Sequence, residues 1–97
     1  MKVRYTEEAL RDLDEILTFI GMNYPAISVA FEKRLRAIER RIGEWPESAP
    51  EVEQRPSVRV VSFIRYPYKV FYQVTADAVE ILHIYHGARR SPWESDR

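Results

Sequence analysis

The first half of the chain carries two apolar stripes at helical spacing. The first stripe comprises Ala9, Leu13, Ile16, Leu17 and Ile20, and the second comprises Ile27, Phe31, Leu35, Ile38 and Ile42. Steps of three and four residues place each set on one face of a helix. Thr6 is the expected N-cap of the first helix, and Gly21 with the Tyr24-Pro25 pair is expected to end it. Gly43 and Pro46 are expected to end the second helix, and the short connection predicts an antiparallel hairpin.

The start and the second half of the chain have the patterns of strands. Residues 2–5 alternate charged and apolar side chains, which predicts a short strand before the first helix. Three runs rich in Val, Ile, Phe and Tyr, at 58–63, 68–74 and 79–86, predict an antiparallel meander. Residues 44–57 contain three prolines and no regular period, so we expect a loop there.

These elements predict one α+β domain over residues 1–97, with a flexible C-terminal tail from about residue 88. The expected order is β-α-α-β-β-β, in which the helical hairpin packs on a small, mainly antiparallel sheet. The last two strands are apolar on both faces, yet one hairpin covers only one face. Either the tail and the long loop fold over the second face, or a partner chain covers it.

Composition narrows the function classes. The chain has no cysteine, which excludes disulfides and cysteine-based zinc sites and fits a cytoplasmic location. It has no apolar stretch long enough to span a membrane. Basic and acidic residues balance at 15 each, which is unlike a domain built to grip nucleic acid. The balance hides a gradient, because residues 1–54 carry eight basic and eleven acidic residues and residues 55–97 carry seven and four.

Several segments, in this order, carry a family resemblance. They are Tyr5-Thr6-Glu7-Glu8-Ala9-Leu10-Arg11-Asp12-Leu13, the break from Ile20 to Pro25, Ala30-Phe31 with Leu35, Pro46, Tyr68-Lys69-Val70-Phe71-Tyr72-Gln73-Val74 and Ile81-Leu82-His83-Ile84-Tyr85-His86-Gly87-Ala88-Arg89-Arg90. Together they resemble the RelE/ParE toxin superfamily over essentially the whole chain. We interpret the chain as ParE-like.

The resemblance implies the toxin of a type II toxin-antitoxin pair of the kind associated with plasmid stabilisation. ParE-like members poison DNA gyrase by binding, whereas RelE-like members cut messenger RNA in the ribosome. The implied partners are gyrase as target and a ParD-like, ribbon-helix-helix antitoxin, in a toxin-antitoxin hetero-oligomer. We expect no cofactor, no metal, no direct nucleic-acid binding and no membrane contact. A protein-interaction module without toxic activity is the alternative from a different class.

The ribonuclease alternative needs a base, an acid and cations for the phosphate. Its candidate residues are Arg59, Arg65, Lys69, Tyr85 and His86. Tyr85 and His86 are adjacent on a strand, so they point to opposite faces unless the strand ends or bulges there. With the neutral charge balance, this favours a protein that acts by binding and is not an enzyme.

The predicted binding residues fall into two sets. The target-binding set is His86, Arg89, Arg90 and Trp93, because arginine and tryptophan dominate binding hot spots. The antitoxin-binding set is Phe71, Leu82, Ile84, Arg59 and Arg65, which offer an apolar surface and basic side chains to an acidic segment.

Alternation along the last strand places its two histidines on opposite faces, which argues against a shared metal site. It groups His83 with Ile81 and Tyr85, and His86 with Leu82 and Ile84. A structural role is the alternative for several of these residues: His83 half-buried and hydrogen-bonded, His86 stabilising the turn into the tail, and Trp93 folded back on the sheet.

Overall fold

Two helices lie against one five-stranded sheet, as the α+β prediction requires. The computed structural model describes residues 1–87, and the predicted tail lies outside them. The elements are β1 (Lys2–Tyr5), α1 (Glu7–Asn23), a 3-10 turn (Pro25–Ile27), α2 (Ser28–Glu44), β2 (Glu51–Val52), β3 (Arg55–Ser62), β4 (Tyr68–Val74) and β5 (Ala78–His86). Within the described residues, no helix is both long enough and apolar enough to cross a bilayer.

The boundaries of the helices lie close to the predicted ones. The Thr6 hydroxyl accepts a hydrogen bond from the Ala9 amide at 3.1 Å, which confirms the predicted N-cap of α1. α1 ends at Asn23, directly before the predicted Tyr24-Pro25 stop, and α2 ends at Glu44, shortly before Pro46. The glycines themselves do not end the helices, because α1 continues through Gly21 and α2 through Gly43. Glycine weakens a helix by only about 1 kcal/mol, so neighbouring turns and packing carry the helix across it.

The sheet has the order β1-β5-β4-β3-β2. β1 runs parallel to β5, and the other neighbouring pairs are antiparallel. The meander is therefore confirmed, whereas the loop predicted over 44–57 contains a strand, β2, and the beginning of β3. β2 is two residues long and buries Val52, too short a segment to show alternation in the sequence.

The two faces of the sheet bury different sets of side chains. The helix-side cluster joins apolar residues of both helices to the sheet: Ala9, Ile16, Ile20, Phe31, Leu35, Ile38, Ile42, Ala49, Phe63, Val70, Tyr72, Val79, Ile81 and Ile84. The opposite face carries a smaller cluster, in which Val52, Val58 and Phe71 are buried and Val60, Leu82 and Tyr85 are partly buried. Buried side chains thus occur on both faces within this chain.

Two residues of the predicted antitoxin-binding set, Phe71 and Ile84, are buried within this chain. Phe71 is 5% exposed and Ile84 is 2% exposed. Ile84 packs under the helices, and Phe71 packs with Val52 of the unpredicted strand β2. The sequence pattern showed that both strand faces are apolar, but it did not show which segment lies over the second one.

Candidate functional site

A β-bulge in β5 decides where the predicted site residues point. Phe71 of β4 pairs with His83, whereas its neighbour Tyr72 pairs with Ile81, so Leu82 is the extra residue. A bulge interrupts the two-residue alternation of a strand. Ile81 and Ile84 consequently both pack in the helix-side cluster.

Leu82 and Tyr85 pack together in the smaller cluster on the other face. The predicted groupings of Leu82 with Ile84 and of Ile81 with Tyr85 were therefore wrong. The register shift arises from the pairing of β5 with β4, and the local sequence of β5 does not predict it.

Asp12 of α1 joins the helix to β5 beside this bulge. β1 pairs with β5 only as far as Ile81, so no strand among residues 1–87 lies beside the rest of β5 on that side. The Ile84 amide donates to Asp12 Oδ2 at 3.0 Å, and His83 Nδ1 lies 3.3 Å from the same oxygen. A carboxylate on the helix thus replaces a missing strand partner.

Asp12 was not among the site residues predicted from the sequence. Its side chain is only 22% exposed. A signal was available in the spacing, because Asp12 follows Ala9 by three residues and precedes Ile16 by four, the steps of the buried stripe. For His83, the predicted half-buried, hydrogen-bonded environment is confirmed.

A groove lies between α1 and the ends of β4 and β5, beside these residues. It has a volume of about 400 Å³ and is lined by Asp12, Glu15, Ile16, Phe19, Tyr68, Ile84 and His86. The rings of Tyr68 and His86 meet edge to face at 5.5 Å and form its floor at the sheet end. We call it the acidic groove, because its charged lining residues are two carboxylates.

A second cavity, of about 270 Å³, collects part of the predicted ribonuclease set. Lys69, Tyr85 and His86 line it together with Glu51 and Glu53, among others. Tyr85 and His86 share this cavity even though they are adjacent, because β5 ends at His86. The two glutamates would repel an RNA phosphate at this position.

The other two ribonuclease candidates lie elsewhere. The Arg59 guanidinium donates to the Glu47 and Ala49 carbonyls at 3.2 and 2.7 Å, and it lies 3.6 Å from the Glu51 carboxylate. It holds the segment that follows α2. Arg65 lies in the exposed turn between β3 and β4, with a φ of 81°. The fold therefore brings three of the five candidates together and leaves out both arginines.

Tyr5 and Tyr72, whose pKa values are raised, have structural roles. Burial raises the pKa of Tyr72, whose hydroxyl donates to the Pro46 carbonyl at 2.7 Å. Burial, and then the hydrogen bond to Glu39, raise the pKa of Tyr5. Neither residue lines the acidic groove or the cavity at Lys69.

The structure describes one residue of the predicted target-binding set, His86. His86 ends β5 and lines both cavities at that end of the sheet. Arg89, Arg90 and Trp93 lie outside the described residues.

Comparison with known proteins agrees with the fold and gives the family. A solved structure described as the chromosomal ParDE TA system from P. aeruginosa is similar over 89% of this chain and 95% of that one, with a TM-score of 0.74 and 20% sequence identity. No curated protein matches the sequence significantly. The family model for the ParE toxin of the type II toxin-antitoxin system, parDE, matches residues 3–91. This chain therefore belongs to the ParE toxin family.

Proposed function

We propose that this protein inhibits DNA gyrase by binding to it in the cytoplasm, and that a ParD-like antitoxin neutralises it. The observation that carries the proposal is the match to the ParE toxin family over residues 3–91. A type II system pairs its toxin with an antitoxin protein, so a partner chain is part of this function. The charge gradient of the chain supports contact between its basic C-terminal half and acidic surfaces.

The described residues favour binding over RNA cleavage. Cleavage needs cations on the phosphate beside the base and the acid. Lys69 is the only Lys or Arg among the described residues that line the second cavity, and Glu51 and Glu53 oppose it there. Arg59, the best-placed further cation, is engaged with backbone carbonyls and Glu51.

We assign the gyrase contact to His86 and to the following residues Arg89, Arg90 and Trp93. Arginine and tryptophan contribute most to hot spots because they bury much area and make directional contacts. For the antitoxin, Leu82 and Arg65 remain candidates for direct contact. Phe71 and Ile84 are buried and Arg59 is engaged, so these three would support a binding surface from beneath.

A supercoiling assay with purified gyrase tests the proposal. The chain is expected to inhibit supercoiling, and the variant carrying Arg89→Ala, Arg90→Ala and Trp93→Ala is expected to lose at least about tenfold in potency, the effect of removing one hot-spot residue. Arg36→Ala is the matched control, because Arg36 is an exposed arginine on α2 whose ion pair with Glu32 is also exposed. Added antitoxin should restore supercoiling.

The alternatives give different results in the same set of assays. Unimpaired gyrase, together with messenger RNA cleaved on ribosomes, would overturn the proposal in favour of a RelE-like ribonuclease. In that case Lys69→Ala and His86→Ala should abolish cleavage. An interaction module without toxic activity would leave gyrase, translation and cell growth all unaffected.

A further inference from the structure

The acidic groove has a composition that suits one chemical group. Its lining combines the carboxylates of Asp12 and Glu15 with the rings of Phe19 and Tyr68, and no lysine or arginine among residues 1–87 lines it. Two carboxylates attract a cation, and the aromatic faces beside them favour a flat one. A guanidinium is planar, stacks on rings and binds carboxylates through paired hydrogen bonds, whereas an ammonium does not stack.

The carboxylates are available for such a ligand. Both contacts of Asp12 use Oδ2, and among residues 1–87 no hydrogen bond reaches its Oδ1. The contacts to Ile84 and His83 hold this carboxylate in place, so binding costs little further side-chain entropy. Glu15 is exposed and has no ion pair within the described part of the chain.

The groove continues into an exposed apolar strip at the end of the helical hairpin. Phe19, at the groove, is 50% exposed, and its ring lies 6.0 Å from that of Tyr24, which is 57% exposed. Met22, on the same turn of the hairpin, is 79% exposed. A continuous surface of this kind fits a peptide segment that presents an arginine followed by apolar side chains.

We propose that the acidic groove binds an arginine side chain of the cognate antitoxin, with neighbouring apolar residues of the same segment lying on Phe19, Met22 and Tyr24. The inference rests on the proposed toxin-antitoxin function, since it needs an antitoxin as partner. It moves one antitoxin contact from the far face of the sheet to α1. It also requires a basic group from the antitoxin at this position, opposite in charge to the acidic groups expected near the C-terminal half.

Charge substitutions at Glu15 test the inference on the full-length chain. We expect Glu15→Gln to weaken antitoxin binding by roughly tenfold, the effect of one charge-assisted hydrogen bond. Glu15→Arg should weaken it by at least about a hundredfold, because it adds repulsion. The matched control is Glu8→Arg, which makes the same charge change on α1 outside the groove and leaves binding within about twofold of the parent. The measurement is the Kd by titration calorimetry, at low and high salt.

A charge swap identifies the partner group. Each arginine of the antitoxin is changed to glutamate in turn, and one of these changes should restore most of the affinity for the Glu15→Arg variant. Equal Kd values for Glu15→Arg and Glu8→Arg would overturn the inference, as would a swap series in which no position restores binding. Thermal unfolding of each variant alone separates loss of contact from loss of fold.

The supercoiling assay separates this inference from the proposed function. Inhibition of gyrase by the parent chain, with antitoxin affinity insensitive to Glu15, would leave the proposed function standing and remove the inference. Loss of antitoxin affinity in Glu15→Arg, without any gyrase inhibition by the parent chain, would do the opposite.

Discussion

At the scale of single residues, two glycines inside helices have different surroundings. A Cβ built on Gly21 of α1 would meet nothing within 4 Å. One built on Gly43 of α2 would lie 3.0 Å from the Met1 carbonyl oxygen and 3.3 Å from a methyl carbon of Val3. The terminal amine of Met1 also donates to the Gly43 carbonyl at 2.6 Å, so β1 begins directly against this turn of α2.

We therefore expect Gly21→Ala to stabilise the protein by roughly 0.5–1 kcal/mol, the helix propensity that glycine forgoes. Gly43→Ala should gain clearly less or lose stability, because the added methyl group presses on the backbone of Met1. Urea unfolding of both variants and the parent measures the difference. Equal stabilisation by the two substitutions would show that β1 moves away from α2 without cost.

Tyr5 makes stability depend on alkaline pH. Its pKa is raised above the ordinary value of 10.0 by burial and by its hydrogen bond to Glu39. The unfolded chain therefore loses this proton at a lower pH than the folded one does. The stabilisation is fully present below pH 10 and is lost as pH rises above it towards the folded pKa.

Unfolding free energies between pH 8 and pH 11 provide the test. The parent should lose stability steeply above about pH 10, and Tyr5→Phe should flatten that part of the profile. Tyr24→Phe is the control, because Tyr24 is 57% exposed. The same slope in Tyr5→Phe and in the parent would contradict the assignment to Tyr5.

At the scale of elements, two side chains of the sheet hold the segment between α2 and β3. Tyr72 of β4 donates to the Pro46 carbonyl, and Arg59 of β3 donates to the Glu47 and Ala49 carbonyls. This segment was predicted as an irregular loop. The structure ties it to the core, because Tyr72 is fully buried and Ala49 belongs to the helix-side cluster.

Removing these anchors should destabilise the fold. We expect about 2 kcal/mol of lost stability for Arg59→Ala and about 1 kcal/mol for Tyr72→Phe, from hydrogen bonds to a charged and a neutral donor. Arg36→Ala, which breaks an exposed ion pair with Glu32, should cost less than about 0.5 kcal/mol. If Arg59→Ala cost no more than Arg36→Ala in chemical denaturation, Arg59 would not be an anchor, and its place in the ribonuclease set would regain weight.

At the scale of the whole molecule, side chains are buried on both faces of the sheet. This burial decides whether the fold needs a partner to form its core. Val58 and Phe71 lie on the face away from the helices, yet they are 0% and 5% exposed. Of the two alternatives for this face, cover by a partner chain is not needed for these two residues. A partner would add stability in proportion to its binding and would not be needed to form the core.

The purified chain without antitoxin should therefore unfold cooperatively as a monomer. Antitoxin at a hundred times its Kd should add roughly 2.7 kcal/mol by mass action. Sedimentation velocity and denaturant unfolding, with and without antitoxin, provide the measurements. A chain that is aggregated or lacks a cooperative transition until antitoxin is added would restore the idea of an incomplete core.

The family could be predicted from the sequence, because the resemblance lies in local segments and in their order along the chain. The candidate site was only partly accessible. Lys69, Tyr85 and His86, three of the five ribonuclease candidates, share a cavity. Asp12 was missed, and Arg59, selected for its charge, makes structural contacts. Charge and residue type identify candidates, but the backbone groups that engage them come from distant parts of the chain.

By itself, the sequence determined the helical hairpin, the N-cap at Thr6 and the three long strands of the meander. Helical hydrogen bonds, caps and two-residue alternation involve residues close together in the chain, so a short stretch of sequence is enough to predict them. Only the tertiary structure decided the bulge at Leu82, the pairing of β1 with β5 and the contact of Asp12 with Ile84. The contact of Asp12 with Ile84 joins residues 72 positions apart, and β1 pairs with β5 across a similar separation. The register of β5 against β4 sets which way each side chain of β5 points.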